Sequence, residues 1–377
     1  MIPVLDLKRE YQDLKSEIDA AVGRVLASGG FVGGAEVAAL EAELSAYLNI
    51  PYIITTGSGT DALFIALRAM GIGPGDEVIT TPFTFIATLE AIQHVGARPV
   101  LVDIDPQTFN LDPTLLEAAL NPRTKAILPV HLYGQVAPMR EILGFAQAHD
   151  LKVLEDAAQA IGARYCAEGC QRNDLACDCH NPQAGTIGDA GAFSLYPTKN
   201  LGAYGDAGFI ATHSDHLAEE SRLIASHGQS SRYHHIRAAG YTSRLDALQG
   251  AILRVKLPHL ENWNTHRREI ARRYSESLKN LLQTPCEAPY AMHIFHQYTV
   301  RHPRRDLLAE HLKTRGIGSS VHYPVPAHLQ PAYGDLAPQG SLPQAEKAAT
   351  EVLSLPMHPF LEEPQIEAVI AAIRSFE

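Results

Sequence analysis

The sequence predicts an α/β protein whose central sheet is mostly parallel and covered by helices on both sides. Short apolar runs, separated by stretches of helical periodicity, recur through the first two thirds of the chain. Beyond about residue 245 this alternation stops, which indicates a second, smaller α+β domain. The 377 residues, 46% of them apolar and 19% charged, are enough to bury two cores.

Composition excludes several classes of protein. The 31 Lys and Arg residues against 42 Asp and Glu give a net charge of −11, which repels a polyanion such as a nucleic acid. No run reaches the roughly 18 uninterrupted apolar residues of a membrane-spanning helix. Charges between Asp6 and Glu10 interrupt the apolar stretch that a signal peptide needs. We therefore expect a cytoplasmic protein without nucleic-acid or membrane partners.

The elements follow from periodicity and from glycine breaks. Helices are predicted at 7–28 and 34–48, because apolar residues recur there at helical spacing and glycines separate the two segments. The clearest helix of the alternating region is at 138–149. Buried strands are predicted at 52–55, 78–80, 99–102, 126–130, 153–154, 190–193 and 208–212.

The C-terminal third has a different pattern. A long helical segment is predicted from about 245 to 282, a strand at 294–300, and a last helix after Pro364. These observations predict a large domain at 1–245 and a small domain at 246–377.

Ligands of parallel α/β sheets bind outside the carboxyl ends of the strands. The first such place is the segment 56–62, TGSGTDA, which follows a strand and opens a helix. Its free N–H groups predict a phosphate site, although a capped tight turn is equally consistent with the pattern. The same segment fits the dinucleotide fingerprint G-x-G-x-x-A, which leaves a nicotinamide or flavin oxidoreductase as an alternative. Asp76 and Glu77 fit that alternative badly, because they precede the second strand.

Three further strand ends carry candidate residues. Phe83 and Phe85 could offer a flat face to a planar ring, or simply pack in the core. Asp156 can pair with a cationic ring nitrogen, or cap a helix. Lys199 could be solvated, as most lysines are, or, if buried near a phosphate pocket, could lose its proton and attack a carbonyl.

This ordered set resembles the sugar aminotransferases of the DegT/DnrJ/StrS family, which depend on pyridoxal phosphate (PLP) and belong to fold type I, the aspartate aminotransferase superfamily. The motifs that carry the resemblance are GGFVGG at 29–34, SGTDAL at 58–63, GPGDEVITTPFTFIAT at 73–88, EDAAQAIGA at 155–163, GDAGAFSLYPTKNLGAYGDAG at 188–208, RLDALQGAIL at 244–253 and VHYPVPAHLQP at 321–331. The resemblance implies a seven-stranded, mostly parallel sheet in the large domain.

The resemblance also implies roles for individual residues. Lys199 would form an imine with the cofactor aldehyde, and Asp156 would pair with the pyridine nitrogen and keep it protonated. The remaining cofactor contacts would come from Gly59, Thr60 and Ser194 at the phosphate, Phe85 against the ring and Gln159 beside its 3-hydroxyl.

The implied reaction is the transfer of an amino group from glutamate to a nucleotide-linked keto-sugar, through a pyridoxamine phosphate (PMP) form of the cofactor. Such a reaction would be a step in glycan or antibiotic sugar synthesis. Lys199 favours transamination, because related dehydratases carry His at that position. A non-catalytic family member is the remaining alternative, and the presence of Lys199 and Asp156 weighs against it.

The sequence is less specific about the substrate than about the cofactor. The segment 226–235 with residues 244–246 is most similar to members that aminate a 3-keto sugar, and a 4-keto sugar is the alternative. Arg232, Tyr233, His322 and Tyr323 are candidate sugar-diphosphate contacts, each of which could equally be packed or solvated.

The sequence departs from the family at two places. Thr242 stands where relatives usually carry an Asn that reaches the cofactor phosphate of the neighbouring subunit. Thr242 is shorter and lacks the amide, so it would contact that phosphate through water or not at all. We still expect a homodimer with shared sites.

An insertion at about 166–184 carries Cys166, Cys170, Cys177, Cys179 and His180. Their spacing fits no standard zinc site, so a structural or redox role, a bound metal and free thiols all remain open.

Overall fold

The computed structural model describes residues 1–166 and 182–376. The helices are α1 (Leu7–Ser28), α2 (Ala35–Leu48), α3 (Gly59–Ala69), α4 (Ala87–His94), α5 (Leu116–Ala119), α6 (Met139–Ala148), α7 (Asp215–Ala225), α8 (Ala247–Lys256), α9 (Leu260–Leu278), α10 (Arg305–Thr314), α11 (Pro343–Glu351) and α12 (Glu363–Arg374). The strands are β1 (Tyr52–Thr56), β2 (Glu77–Thr80), β3 (Arg98–Leu101), β4 (Thr124–Ile127), β5 (Lys152–Asp156), β6 (Arg164–Tyr165), β7 (Ala190–Ser194), β8 (Gly208–Thr212), β9 (Gln229–Ser231), β10 (His234–His235), β11 (Ala291–Met292), β12 (Tyr298–Arg301) and β13 (Val352–Leu355).

Seven strands form the central sheet in the order β1-β8-β7-β5-β4-β2-β3. β8 is antiparallel to both of its neighbours, while β7, β5, β4, β2 and β3 are paired in parallel. Since β1 is antiparallel to β8, it runs in the same direction as the other five strands. The predicted α/β class and the mostly parallel seven-stranded sheet are confirmed.

The strands are mostly buried and largely apolar because helices cover both faces of the sheet. All five residues of β8 and four of the five in β5 are buried. On one side, α3 and α7 pack against the sheet around Leu63 and Leu67, and on the other side α2 and α8 pack around Leu40 and Phe193. This packing brings the carboxyl ends of β1, β2, β5 and β7 to a common edge.

The C-terminal third has its own core, built by α9, α10 and α12 around the β12–β13 pair. The predicted last helix is present as α12, with a capping box between Glu362 and Gln365. Two details of the prediction are wrong. The helix expected from 245 to 282 is divided into α8 and α9, because Pro258 cannot donate a backbone hydrogen bond and a short 3₁₀ turn replaces it. The strand expected at 294–300 begins only at Tyr298.

The separate C-terminal core supports the division near residue 245, which stays a prediction. Of the insertion, Cys166 is buried and lies directly after β6. Cys170, Cys177, Cys179 and His180 lie outside the described residues. In the described ranges, no cluster of three or more His, Cys, Asp or Glu side chains could hold a metal ion. None of the helices described is long and apolar enough to cross a membrane.

Candidate active site

A cavity of about 540 Å³ opens at the carboxyl edge of the sheet. Its walls come from the loops after β1, β2, β5 and β7 and from the segments that precede β12 and follow α10. The residues that line it include Ser58, Gly59, Thr60, Phe85, Thr88, Asp156, Gln159, Ser194, Lys199, His296, Gln297, His322 and Tyr323. The structure thus brings together nine of the predicted site residues, which the sequence separates by up to 264 positions.

The start of α3 provides an anion site. Ser58 caps the helix by accepting a hydrogen bond from the N–H of Asp61 at 3.0 Å. The N–H groups of Gly59 and Thr60 have no acceptor among the residues described, so they are free to bind a ligand. A Cβ at position 59 would lie 2.7 Å from the Cβ of Ser194. Only glycine therefore lets the Ser194 side chain approach this helix end.

Asp156 is held at the end of β5 by two donors. The Thr88 hydroxyl donates to Oδ2 at 2.8 Å, and the Ala158 N–H donates to Oδ1 at 3.2 Å. Because Thr88 uses its only proton on Asp156, the Thr84 hydroxyl, 2.8 Å away, must donate to Thr88. Burial raises the pKa of Asp156, while Thr88, Ala158 and the nearby Lys199 oppose that rise. A cationic partner in the cavity would favour the carboxylate.

Glu155, the residue before Asp156, anchors this strand end from the opposite face. Its carboxylate accepts hydrogen bonds from the backbone N–H groups of Gly185, Ile187 and Gly188, at 2.6 to 2.8 Å. His131 Nε2 lies 2.7 Å from the same carboxylate. Both side chains are fully buried. These hydrogen bonds hold the end of β5, and therefore the backbone of Asp156, in a fixed position.

Lys199 follows β7 and lines the same cavity. Desolvation lowers the pKa of its amine to about 8, although the neighbouring carboxylate of Asp156 acts in the opposite direction. Its Nζ atom has no hydrogen-bond partner in the part of the chain that the structure describes. The unprotonated amine, which is the form that attacks a carbonyl, is therefore more populated near neutral pH than in an ordinary lysine.

Aromatic rings and an amide complete the cavity. Phe83 is buried in the core, as one of the two interpretations predicted, whereas Phe85 is 57% exposed and lines the cavity. The ring of Tyr323 lies 6.2 Å from that of Phe85. Gln159 accepts a hydrogen bond from the Tyr133 N–H at 2.7 Å and donates to the Tyr323 hydroxyl at 3.2 Å. These bonds fix the amide of Gln159 at one wall.

The predicted substrate contacts divide into two groups. His322 and Tyr323 line the cavity. Arg232 and Tyr233 lie in the exposed turn between β9 and β10, where the guanidinium stacks 5.1 Å from the Tyr233 ring. Thr242 is exposed, and its hydroxyl lies 2.7 Å from Nε2 of His227. Arg232, Tyr233 and Thr242 are not among the residues that line the cavity of the single chain.

Thr88, His296 and Gln297 also line the cavity and were not predicted from the sequence. Its position could have indicated Thr88, because Thr88 lies four residues, about one helical turn, after Thr84 in the motif at 73–88. His296 and Gln297 come just before β12 in the C-terminal third, far along the sequence from the strands of the central sheet. No local pattern marks them.

The residues present fit PLP. A glycine-lined helix end can take a phosphate, a partly exposed phenyl ring can stack on a pyridine, a buried carboxylate can meet the ring nitrogen, and an amine with a lowered pKa can reach the aldehyde. The dinucleotide alternative does not fit. The carboxylate of Glu77 lies at the amino end of β2, where Asn121 and Arg123 bind it, at the opposite edge of the sheet from the cavity.

Comparison with known sequences agrees with this geometry. The sequence profile of the DegT/DnrJ/EryC1/StrS aminotransferase family matches residues 12–374. The chain is 49% identical to the pleiotropic regulatory protein of Geobacillus stearothermophilus over 380 residues, covering 100% of this chain and 98% of the relative. It is 45% identical to dTDP-3-amino-3,4,6-trideoxy-alpha-D-glucose transaminase of Streptomyces venezuelae, covering 100% and 96%. It is also 45% identical to UDP-2-acetamido-2-deoxy-3-oxo-D-glucuronate aminotransferase of Pseudomonas aeruginosa, covering 99% of each.

Solved structures agree as well. DesV of S. venezuelae in complex with a ketimine intermediate has a TM-score of 0.93 and 46% identity, covering 99% of this chain and 97% of that one. NtdA of Bacillus subtilis with bound PMP has a TM-score of 0.88 and 33% identity, covering 99% and 85%. The predicted fold and cofactor are thereby confirmed. The chain belongs to the DegT/DnrJ/EryC1/StrS aminotransferase family and is a PLP-dependent aminotransferase.

Proposed function

We propose that this enzyme transfers the amino group of glutamate to carbon 3 of a nucleotide-linked 3-keto sugar. The observation that carries the proposal is the cavity itself, in which the Lys199 amine, the Asp156 carboxylate and the free helix end at Gly59 meet. Relatives that are 45% identical over nearly the whole chain are named for a 3-amino sugar and for a 3-oxo sugar nucleotide. This similarity favours carbon 3 over carbon 4.

Each residue has a task that follows from its environment. When bound, PLP supplies a ring that withdraws electrons from the substrate carbon. Asp156 keeps a proton on the ring nitrogen, because a buried carboxylate gains most from a cationic partner. Lys199 moves a proton between the substrate carbon and C4′, because its lowered pKa makes the amine a base near neutral pH. Gly59, Thr60 and Ser194 bind the phosphate.

His322 and Tyr323 bind the sugar end of the substrate in this proposal. Burial and the nearby Lys199 charge lower the pKa of His322 to about 4, so its imidazole is neutral and forms hydrogen bonds rather than ion pairs. Its Nδ1 atom lies 2.9 Å from the Ser354 hydroxyl, which fixes the ring. A neutral wall suits sugar hydroxyl groups better than it suits a phosphate.

We also propose a homodimer in which each subunit completes the site of the other. Several large apolar side chains outside the cavity are exposed on the single chain, between 45% and 78%: Phe31, Val32, Tyr233, Ile236 and Tyr241. Three of them belong to the segment that also carries Arg232 and Thr242. Burial of this surface against a second copy would bring those residues to a neighbouring cavity. Sedimentation velocity tests the mass, and a purely monomeric species would contradict the proposal.

The function is tested by incubating the PLP-loaded protein with glutamate and a panel of nucleotide-linked 3-keto and 4-keto sugars. Mass spectrometry should detect the amino sugar nucleotide and 2-oxoglutarate, with the 3-keto sugars preferred. Lys199→Ala is the matched negative control and should form neither product. Formation of PMP with no transfer to any sugar would refute the sugar substrate. Faster turnover with the 4-keto set would refute the assignment to carbon 3.

A further inference from the structure

The hydroxyl group of Ser243 joins the turn after β1 to the first turn of α3. It accepts a hydrogen bond from the Gly57 N–H at 2.9 Å and donates one to Oδ2 of Asp61 at 2.7 Å. Both directions are fixed, because a backbone N–H can only donate and the hydroxyl has a single proton to give to the carboxylate. Ser243 is 1% exposed, so its hydroxyl is shielded from water. One buried side chain thus connects two residues that lie 186 and 182 positions away.

The backbone around Ser243 is held in place by the end of α7. The Ser243 N–H donates to the carbonyl of Ala225 at 2.9 Å. The preceding residue, Thr242, pairs with Ser226 in an antiparallel β-bridge. The hydroxyl of Ser243 therefore approaches α3 from a fixed position.

Asp61 occupies a sensitive place in α3. It is the third residue of the helix, and an acidic side chain there can reach back to the N–H groups that begin the helix. The N–H groups of Gly59 and Thr60 are those that bind the cofactor phosphate in the proposed function. A carboxylate turned towards them would compete as an acceptor and would repel the phosphate.

The hydrogen bond from Ser243 directs the Asp61 carboxylate away from these groups. Asp61 is not among the described residues that line the cavity. A Cβ at position 57 would lie 3.0 Å from Oδ2 of Asp61, so Gly57 leaves room for the carboxylate beside the turn. The Gly57 N–H is already used by Ser243, whereas the N–H groups of Gly59 and Thr60 stay available to a ligand.

We infer that Ser243 is a positioning residue of the phosphate site, because it holds the Asp61 carboxylate away from the N–H groups of Gly59 and Thr60. It acts without touching the cofactor. The inference rests on the phosphate site of the proposed function and adds a residue that controls its charge.

Titration of the cofactor-free protein with PLP and with pyridoxal, which lacks the phosphate, tests this role. Ser243→Ala should weaken the affinity for PLP at least about tenfold, because the Asp61 carboxylate loses the hydrogen bond that holds it. The affinity for pyridoxal should be unchanged, since pyridoxal brings no phosphate to the helix start.

Ser221→Ala is the matched control. Ser221, on α7, is also 1% exposed, and its hydroxyl has no hydrogen-bond partner in the part of the chain that the structure describes. This variant should leave both affinities unchanged.

Asp61→Asn tests whether the charge of Asp61 carries the effect. The neutral amide does not repel the phosphate as the carboxylate does. Asp61→Asn should therefore raise the affinity for PLP more in Ser243→Ala than in the wild type. An equal effect in both backgrounds would overturn the role of the carboxylate.

Equal losses of PLP and pyridoxal affinity in Ser243→Ala would show a purely structural serine and overturn the inference, as would an unchanged affinity for PLP. Gly59→Ala separates this failure from that of the proposed phosphate site. If Gly59→Ala keeps its affinity for PLP, the phosphate site fails and this inference fails with it. If Gly59→Ala loses affinity and Ser243→Ala does not, the phosphate site stands and only the role of Ser243 is refuted.

Discussion

The hydrogen bond from Thr88 to Asp156 is the most direct test of how the cavity controls its carboxylate. Thr88→Val preserves the shape of the side chain and removes the proton that Asp156 Oδ2 accepts at 2.8 Å. A hydrogen bond to a charged acceptor contributes about 1.5–3 kcal/mol. Loss of this bond raises the pKa of Asp156 further, in the same direction as burial. Asp156 should then hold the protonated ring nitrogen less strongly.

The expected result is a loss of about 10- to 150-fold, since 1.4 kcal/mol corresponds to a factor of ten. The loss should divide between the affinity for PLP, measured by fluorescence titration, and kcat with glutamate. Thr88→Ser keeps the hydroxyl and should recover most of it. Thr84→Val removes only the donor to Thr88, so its effect should be smaller. If Thr88→Val and Thr84→Val behave alike, the bond to Asp156 does not set the strength of the carboxylate.

Three further predictions concern the phosphate site at Gly59, the amine of Lys199 and the hydrogen bonds of Glu155 at the end of β5. Gly59→Ala should weaken PLP binding at least about tenfold, because its Cβ would lie 2.7 Å from that of Ser194, whereas Gly23→Ala, in open space on α1, should not affect titration with PLP. The unfolding free energy of the cofactor-free protein should rise with pH between about 8 and 10.5, because in this range Lys199 is more protonated in the unfolded chain than in the folded one. Urea titrations should show this rise in the wild type, and Lys199→Met should lack the part that Lys199 contributes. Glu155→Gln should destabilise the fold by about 3–5 kcal/mol, because the new NH₂ group faces backbone N–H donors, and an unchanged melting temperature would contradict this account.

Each of these predictions has a distinct contrary outcome. Unaltered PLP affinity in Gly59→Ala would mean that the phosphate binds elsewhere. Parallel pH dependence of the wild type and Lys199→Met would mean that the amine is not desolvated in the folded protein.

The local sequence pattern was sufficient to predict the strands of the central sheet and the functional residues at their ends. Each of the seven predicted apolar runs corresponds to one strand of the central sheet, because a strand covered on both faces is apolar over most of its length. Parallel strands also place their carboxyl ends at one edge. Ser58, Asp156 and Lys199 follow or end such strands, so the sequence alone was enough to group them at one site.

The sequence by itself determined the class of fold, the order of the strands along the chain and the strand-end residues of the cavity, since all of these depend on periodicity and neighbouring residues. Only the tertiary structure decided that β8 runs against its neighbours, that Thr88 reaches Asp156 across 68 positions, and that His296 meets Asn200 across 96. Those contacts depend on how separate elements pack. A side chain that acts through a distant partner leaves no repeating signal in its own segment.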